Sequence, residues 1–215
     1  MNIILVGAPG SGKGTQAKTL ASHYQIPHIS TGDMLRDEQE SGSELGLHIK
    51  SLIDGGNFVS DELIIRLVKE RIAKPDCVNG FILDGFPRTL KQAQVMQEEG
   101  IEVDHVVELV VPFQLIVTRI TGRLVHKASG RVYHKTFNKP AVEWKDDVTG
   151  EDLYVREDDK EEIVLERLST YQAKTQPVLN FYKELAAKTN SVRYHTVDGV
   201  GDVNEIPNRI YNALS

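Results

Sequence analysis

The stretch Gly7-Ala8-Pro9-Gly10-Ser11-Gly12-Lys13-Gly14-Thr15 holds the residue types that cradle a phosphate. Glycines let successive backbone N–H groups turn toward one anion, a following helix adds the positive end of its dipole, and Lys13 supplies a point charge. The spacing is that of a phosphate-binding loop, which needs a strand before it and a helix after it. Both are written in the chain: the apolar run Ile3 to Val6 precedes the loop and a helical pattern from Lys13 to Tyr24 follows it. One position departs from the usual pattern, because residue 14 is Gly and the hydroxyl arrives a place late, on Thr15. A step along a helix rotates a side chain by about 100 degrees, so Thr15 need not meet a metal ion. Magnesium is then expected on nucleotide oxygens and water, with Asp84 and Asp33 as outer-shell carboxylates and no direct protein ligand.

A second set of residues could do phosphate chemistry. Arginines recur beside glycines, aromatics and prolines, at Arg36, Arg88, Arg119, Arg123, Arg131, Arg156 and Arg167, in a chain of net charge -6. Most arginines are solvated surface residues. Planar guanidinium groups, however, grip phosphate oxygens two at a time. Phosphoryl transfer is a charge problem more than a bond-making one, since its transition state spreads negative charge over equatorial oxygens. A hydroxyl acceptor would call for a base to take its proton. A phosphate acceptor is already anionic and needs only relief from repulsion. Many arginines without an obvious base therefore point to transfer between two phosphates, although Asp33 and Asp84 stand open as bases.

These residues need a scaffold, and the sequence writes one. Apolar β-branched runs at Ile3 to Val6, Pro27 to Ile29, Phe81 to Leu83, Val106 to Val111 and Val192 to Val197 lack polar alternation, as buried parallel strands do. Helical patterns lie between them, at Lys13 to Tyr24, Gly32 to Glu40, Ser43 to Asp54, Asp61 to Ala73, Leu90 to Glu99, Phe113 to Arg123, Lys160 to Lys188 and Val203 to Leu214. Alternating strands and helices make a doubly wound α/β fold around a five-stranded parallel sheet. Pro177 is expected to kink the long helix. Two segments break the alternation. Residues 30–59 place helices and an Asp54-Gly55-Gly56 turn off the sheet as a flap, and residues 122–159, punctuated by Gly130, Pro140 and Gly150, read as a small antiparallel β insertion, a lid. The core then comprises 1–29, 60–121 and 160–215.

Composition bounds the setting. At 215 residues the chain suits one domain with insertions. A lone Cys77 forms no intrachain disulfide, the N-terminus carries no basic leader, and nowhere do eighteen apolar residues run together. These features fit a reducing, cytoplasmic home without membrane association. The acidic balance, with a pI near 5.7, would repel a nucleic-acid backbone.

Five stretches together resemble the adenylate kinase family: the phosphate loop, Ser30-Thr31-Gly32-Asp33-Met34-Leu35-Arg36, Leu83-Asp84-Gly85-Phe86-Pro87-Arg88-Thr89, Gly130-Arg131-Val132-Tyr133-His134 and Tyr154-Val155-Arg156-Glu157-Asp158-Asp159. The insertion has the length of the bacterial long-lid form. The resemblance implies reversible transfer from MgATP to AMP giving two ADP, by a monomer whose partners are ATP, AMP and ADP, with residues 30–59 binding AMP and residues 122–159 covering ATP. It implies that Gly10, Ser11, Gly12, Lys13, Gly14, Thr15, Arg119, Arg123, Val132, Tyr133 and Val200 bind ATP. Thr31, Arg36, Asn57, Phe58, Val59, Gly85, Arg88, Gln92, Arg156 and Arg167 would bind AMP. Lys13, Asp84, Arg88, Arg123, Arg156 and Arg167 would serve catalysis, with Asp158 and Asp159 supporting the lid arginines and Phe86-Pro87 in the cis form.

His126, Ser129, Asp146 and Thr149 fall at the spacing where some members of that family carry zinc-binding cysteines. Ser and Thr are poor zinc ligands, so a hydrogen-bonded tetrad without zinc is expected. His134 is expected either to touch an ATP phosphate or to serve structure. His28, His48 and His195 form no evident constellation, and Trp144 and Cys77 carry no functional signal. Two rivals stand beside the main reading. One is a kinase for UMP, CMP or GMP, against which Thr31 argues because UMP/CMP kinases usually place Ala there. The other is an ATP-dependent switch, which would have no use for a second phosphate site at Arg36 and Arg88.

Overall fold

A computed structural model of the chain describes residues 1–54 and 59–215. Strands β1 (Asn2–Val6), β2 (His28–Ser30), β3 (Phe81–Asp84), β4 (His105–Val110) and β8 (Arg193–Asp198) pair in parallel, in the order β2-β3-β1-β4-β8. Ile3, Ile4, Leu5 and Val6 are all at most 3% exposed, which is why the run shows no alternation: helices cover both faces. On one face α1 (Lys13–Tyr24) and α9 (Ile206–Leu214) pack Leu20, Ile206, Ile210 and Leu214 against Ile3, Leu5 and Val107. On the other, α4 (Asp61–Ile72), α5 (Leu90–Glu98) and α8 (Gln176–Lys188) bring Val68, Met96, Val178, Leu179 and Tyr182 against Ile4, Leu83 and Val106. With β1 central, β3 on one side and β4 on the other, the loop leaving β1 opens where the strand order reverses, the ligand crevice of such sheets.

Helix starts follow their caps. Ser30 Oγ accepts from Asp33 N to open α2 (Thr31–Glu40), Ser60 Oγ accepts from Leu63 N to open α4, and Thr89 Oγ1 accepts from Gln92 N to open α5. Helices α2 and α3 (Glu44–Asp54) stand between β2 and β3, as the 30–59 segment leads one to expect. Glycine at 46 is required there, because a Cβ would lie 2.0 Å from the Glu38 carbonyl oxygen. The antiparallel insertion forms as β5 (Arg123–His126), β6 (Val132–His134) and β7 (Leu153–Tyr154), ordered β6-β5-β7 around Leu124, Tyr133 and Leu153.

Three expectations are corrected. Arg123 does not end a helix: α6 covers Phe113–Thr121, Gly122 caps it, and Arg123 is the first residue of β5. The α9 helix starts at Ile206, not Val203. The long Lys160–Lys188 helix is three pieces, α7 (Glu161–Thr170), a π turn at Tyr171–Thr175 and α8. Pro177, lacking an N–H, sits in the first turn of α8, just after that irregular turn. The Phe86-Pro87 peptide is cis. Among the described residues no helix is long and apolar enough to cross a membrane.

Candidate active site

The loop from β1 to α1 bends through glycines in left-handed conformations, with φ of 78° at Gly10 and 96° at Gly12. Space as well as angle demands glycine at position 10, where a Cβ would lie 2.5 Å from Ile120 Cγ1. At Gly12 a Cβ would meet nothing within 4 Å, so the loop is open on that side. Lys13 Nζ folds back to donate to the carbonyls of Gly7 (2.6 Å) and Ala8 (2.9 Å). Its pKa is lowered to about 8, first by burial, with Asp84 opposing and Arg88, Arg167 and Arg123 adding to the fall. Among the described residues Ser11 Oγ is buried without a hydrogen-bond partner.

Around this lysine the structure gathers Arg36, Arg88, Arg123, Arg156 and Arg167 from five separate chain regions. Arg123 donates from Nε to Asp159 Oδ2 at 2.8 Å and forks onto the other oxygen. Arg167, on α7, holds Asp158 Oδ2 at 2.9 Å and the Asp158 carbonyl at 2.8 Å, and stands 3.7 Å from Asp159. Arg36 pairs with Asp33, which Arg156 approaches to 3.9 Å, while among the described residues the Arg156 Nε is buried and has no hydrogen-bond partner. The Arg88 side chain donates from Nε to the Gly85 carbonyl at 2.7 Å.

The electrostatics are those of an anion site. Burial pushes the pKa of Arg88, Arg156 and Arg167 down, and neighbouring guanidinium groups push the same way: Arg167 and Arg36 on Arg88, Arg36 and Arg123 on Arg156, Arg123 and Arg156 on Arg167. Burial also works against the charge of Arg123, but its bonds to Asp159 win and raise its pKa. Asp33, although half desolvated, is held below the usual carboxylate range by Arg36. The carboxylates present offset only part of this positive charge.

Two further groups of residues flank this cluster. On one side Thr31 Oγ1 donates to Gly85 O (2.9 Å), and Gln92 accepts from Arg88 N (2.7 Å) and donates to Asp61 Oδ1 (2.6 Å). Thr31 and Gln92 are buried, and the Gln92 amide keeps one N–H and one lone pair uncommitted by these bonds. Val59 is buried nearby in the chain, while Asn57 and Phe58 lie outside the described residues. On the other side Arg119 reaches across to Gly199 O (3.0 Å) beside the exposed Val200.

Asp84 stands at the carboxyl end of β3, its Oδ2 3.3 Å from where a Cβ on Gly14 would be. His28 Nε2 lies 3.2 Å from the same oxygen, a contact that sequence reasoning missed because 56 residues separate the two. Asp33, expected as a second outer-shell carboxylate, pairs with Arg36 and lies 3.9 Å from Arg156.

A model of the family described as Adenylate kinase matches residues 5–187. The chain belongs to the adenylate kinase family. It is therefore a nucleotide-binding phosphotransferase, of the family's nucleoside monophosphate kinase activity, a class that works with ATP and Mg2+. The match covers the phosphate loop, Thr31, Gln92, Arg119 and the whole β insertion, and ends before Gly199 and Val200.

Within the insertion, this adenylate kinase family member ties His126, Ser129, Asp146 and Thr149 into one network. His126 Nδ1 bonds Ser129 Oγ at 2.8 Å, and Thr149 Oγ1 donates to Asp146 Oδ2 at 3.0 Å and lies 3.3 Å from His126 Nε2. Three further members were not read from the sequence: Arg131 forks onto Asp146 at 2.8 and 2.7 Å, Tyr133 Oη donates to it at 3.0 Å, and Glu151 meets His126 at 2.5 Å. Arg131 thus serves the insertion and not the phosphate cluster. Tyr133 turns its side chain into the same core, and Val132 stays exposed. His134 takes the structural alternative, with Nε2 on Thr118 O and Nδ1 accepting from Thr136 N.

Asp146 is held far below the usual carboxylate range, first by Arg131 and then by Thr149 and Tyr133. A carboxylate depressed in the folded state stabilises above its unfolded pKa and loses that contribution as pH falls below about 4. Asp146→Asn is therefore expected to loosen residues 123–154 selectively. Hydrogen exchange would show faster opening there with the parallel sheet unchanged. Equal protection in mutant and wild type would refute the network's role.

Proposed function

We propose that this protein moves the terminal phosphoryl group of MgATP reversibly onto AMP, giving two ADP. The observation that carries the reading is the cluster of Lys13 with Arg36, Arg88, Arg123, Arg156 and Arg167, under-compensated by acid and set between the two flanking groups of residues. One charged phosphate would leave much of it idle; two occupy it.

On this reading the phosphate loop and Lys13 hold the donor phosphates, with the base against Arg119 and Val200. Arg36 and Arg88 hold the acceptor phosphate, with Thr31 and Gln92 reading its base. Arg123, Arg156 and Arg167 face the group in transit. An acceptor phosphate oxygen attacks the terminal phosphorus, the bond to the bridging oxygen of the donor breaks, and that oxygen leaves as the terminus of the first ADP. No proton need be removed, so the step calls for no base. Magnesium fits through Asp84, which would hold its waters beside Lys13, and among the described residues no group of three His, Cys, Asp or Glu gathers to bind a metal outright. The ion supplies charge neutralisation on the donor phosphates.

Residues 1–29, 60–121 and 160–215 act as the core, 30–59 as the acceptor-binding unit and 122–159 as a lid that excludes water as an acceptor. In the present arrangement the lid touches both: Lys18 of α1 donates to Gly130 O (2.6 Å), and Lys127 pairs with Glu40 of α2 (3.2 Å). A cytoplasmic monomer fits the reading.

Initial rates with MgATP and each of AMP, GMP, UMP and CMP, with the reverse reaction from ADP, test the proposal. Strong preference for AMP is expected, and ADP alone should yield ATP and AMP. Preference for another acceptor would refute the roles given to Thr31 and Gln92. A second expected result concerns Lys13. With its pKa lowered to about 8, first by burial, bound phosphate should restore its proton, so ATP binding at pH 8.5 takes up a fraction of a proton. Calorimetry in buffers of different ionisation enthalpy measures this directly, and zero uptake would contradict the assignment.

A further inference from the structure

The loop leaving β8, Asp198-Gly199-Val200-Gly201, contains two glycines and would be loose without outside support. Gly199 belongs against the phosphate loop: a Cβ on it would lie 3.4 Å from Ser11 O and 2.7 Å from Val111 Cγ2. Arg119 fixes the Gly199 carbonyl from α6 and also reaches Ser11 O at 3.5 Å. From α9, Arg209 Nη1 donates to Asp198 O at 3.0 Å and to Val200 O at 2.6 Å. Three successive carbonyls are thus each held by a guanidinium. Arg209 is itself steadied by Asp198 and Glu205, each 3.7 Å away, and its Nη2 lies 3.1 Å from where a Cβ on Gly201 would be, a residue with φ of 120°.

A backbone carbonyl has two lone pairs, so one held by Arg209 still accepts a second hydrogen bond. The loop's outer edge, at the exposed Val200, is therefore a fixed row of acceptors beside the donor phosphates. Such a row pairs with a base edge that carries an amino group and repels one that carries an oxo group. We propose that Arg209 is a positioning residue for donor specificity: by pinning the Asp198 and Val200 carbonyls it makes the site select an amino-bearing purine such as adenine over an oxo-bearing one such as guanine. The proposal rests on the donor reading above and adds a residue outside the phosphate machinery.

The test is direct binding of ATP and GTP to the whole protein without acceptor, by calorimetry, for wild type, Arg209→Ala, Arg209→Gln and Arg209→Lys, with kcat and KM for both donors. Loss of a hydrogen bond from a charged donor weakens recognition about tenfold. Arg209→Ala and Arg209→Gln should lose about that factor for ATP and little for GTP, so the ATP/GTP ratio falls, while kcat at saturation and KM for AMP hold. Arg209→Lys should retain part of the ratio. A variant that melts earlier yet keeps the wild-type ratio would show Arg209 to be merely structural and overturn the proposal alone. A wild type that binds neither nucleotide, or prefers GTP, would overturn the donor reading and the proposal together, and the wild-type row distinguishes the two failures.

Discussion

Arg123→Ala is expected to lower kcat by at least about 10²-fold, within the range that arginines supplied to phosphoryl transfer command. The side chain opens β5 at the join between α6 and the lid, and its Nε and one terminal nitrogen are spent on Asp159, whose side chain is fully buried. That pairing fixes the plane of the guanidinium, so its remaining donors can face a developing charge without reorganising first. Arg123→Lys should rescue little, because one ammonium cannot both fork onto Asp159 and reach the transferring group. Removing Arg123 also strands Asp159, with only Arg167 left at 3.7 Å, so some stability should go with activity. The double variant Arg123→Ala/Asp159→Ala separates the effects, recovering stability but not turnover. Near-normal kcat in the single variant would remove Arg123 from the site.

Arg88→Ala makes the sharper case, because activity and stability should part company. Among the described residues no carboxylate lies within ion-pair distance of Arg88, and Arg167 and Arg36 crowd it with like charge. The protein nevertheless fixes it at three points: Arg88 N donates to Gln92, Arg88 O accepts from Thr175 Oγ1 at 3.0 Å, and Nε donates to Gly85 O. Holding a cation so firmly without an ion pair, with Asp84 and Asp158 offsetting only part of the charge of Arg167 and Arg36, stores repulsion that a bound phosphate relieves. Alanine should therefore cost at least about 10² in kcat and raise KM for the acceptor, with the melting temperature of the empty protein unchanged or higher. Lower stability together with full turnover would mean that Arg88 is scaffolding. Kinetics and thermal unfolding on one preparation decide it.

What the sequence made legible divides by distance along the chain. The strands of the parallel sheet could be read because burial on both faces leaves unbroken apolar runs. The phosphate loop could be read because its glycines, lysine and helix start are contiguous. Arg123 was assigned to a helix because the apolar pattern from Phe113 runs up to it, and nothing local says that Gly122 both caps α6 and admits the His134 ring, 2.3 Å from where a Cβ would stand. His28, Asp61 and Arg209 went unread for another reason. Their partners Asp84, Gln92 and the Val200 carbonyl come from other elements, and a pairing between separate elements has no local spacing to announce it. Tyr133 and His134 sit in a stretch that matches a family motif, yet a motif does not say which face of a strand a side chain takes.

The π turn at Tyr171–Thr175 sets an angle between two duties of what would otherwise be one helix. Upstream, Arg167 must point into the cleft; downstream, Val178, Leu179 and Tyr182 must point into the core. A regular helix fixes the angle between these faces, whereas one wider turn inserts an offset of about 100 degrees, a residue's worth. Deleting a single residue from 171–175 would restore ideal helical geometry and swing the arginine away from its charge partners or the apolar residues out of the sheet. The irregular turn acts as a gear tooth, letting one continuous rod serve chemistry at one end and packing at the other.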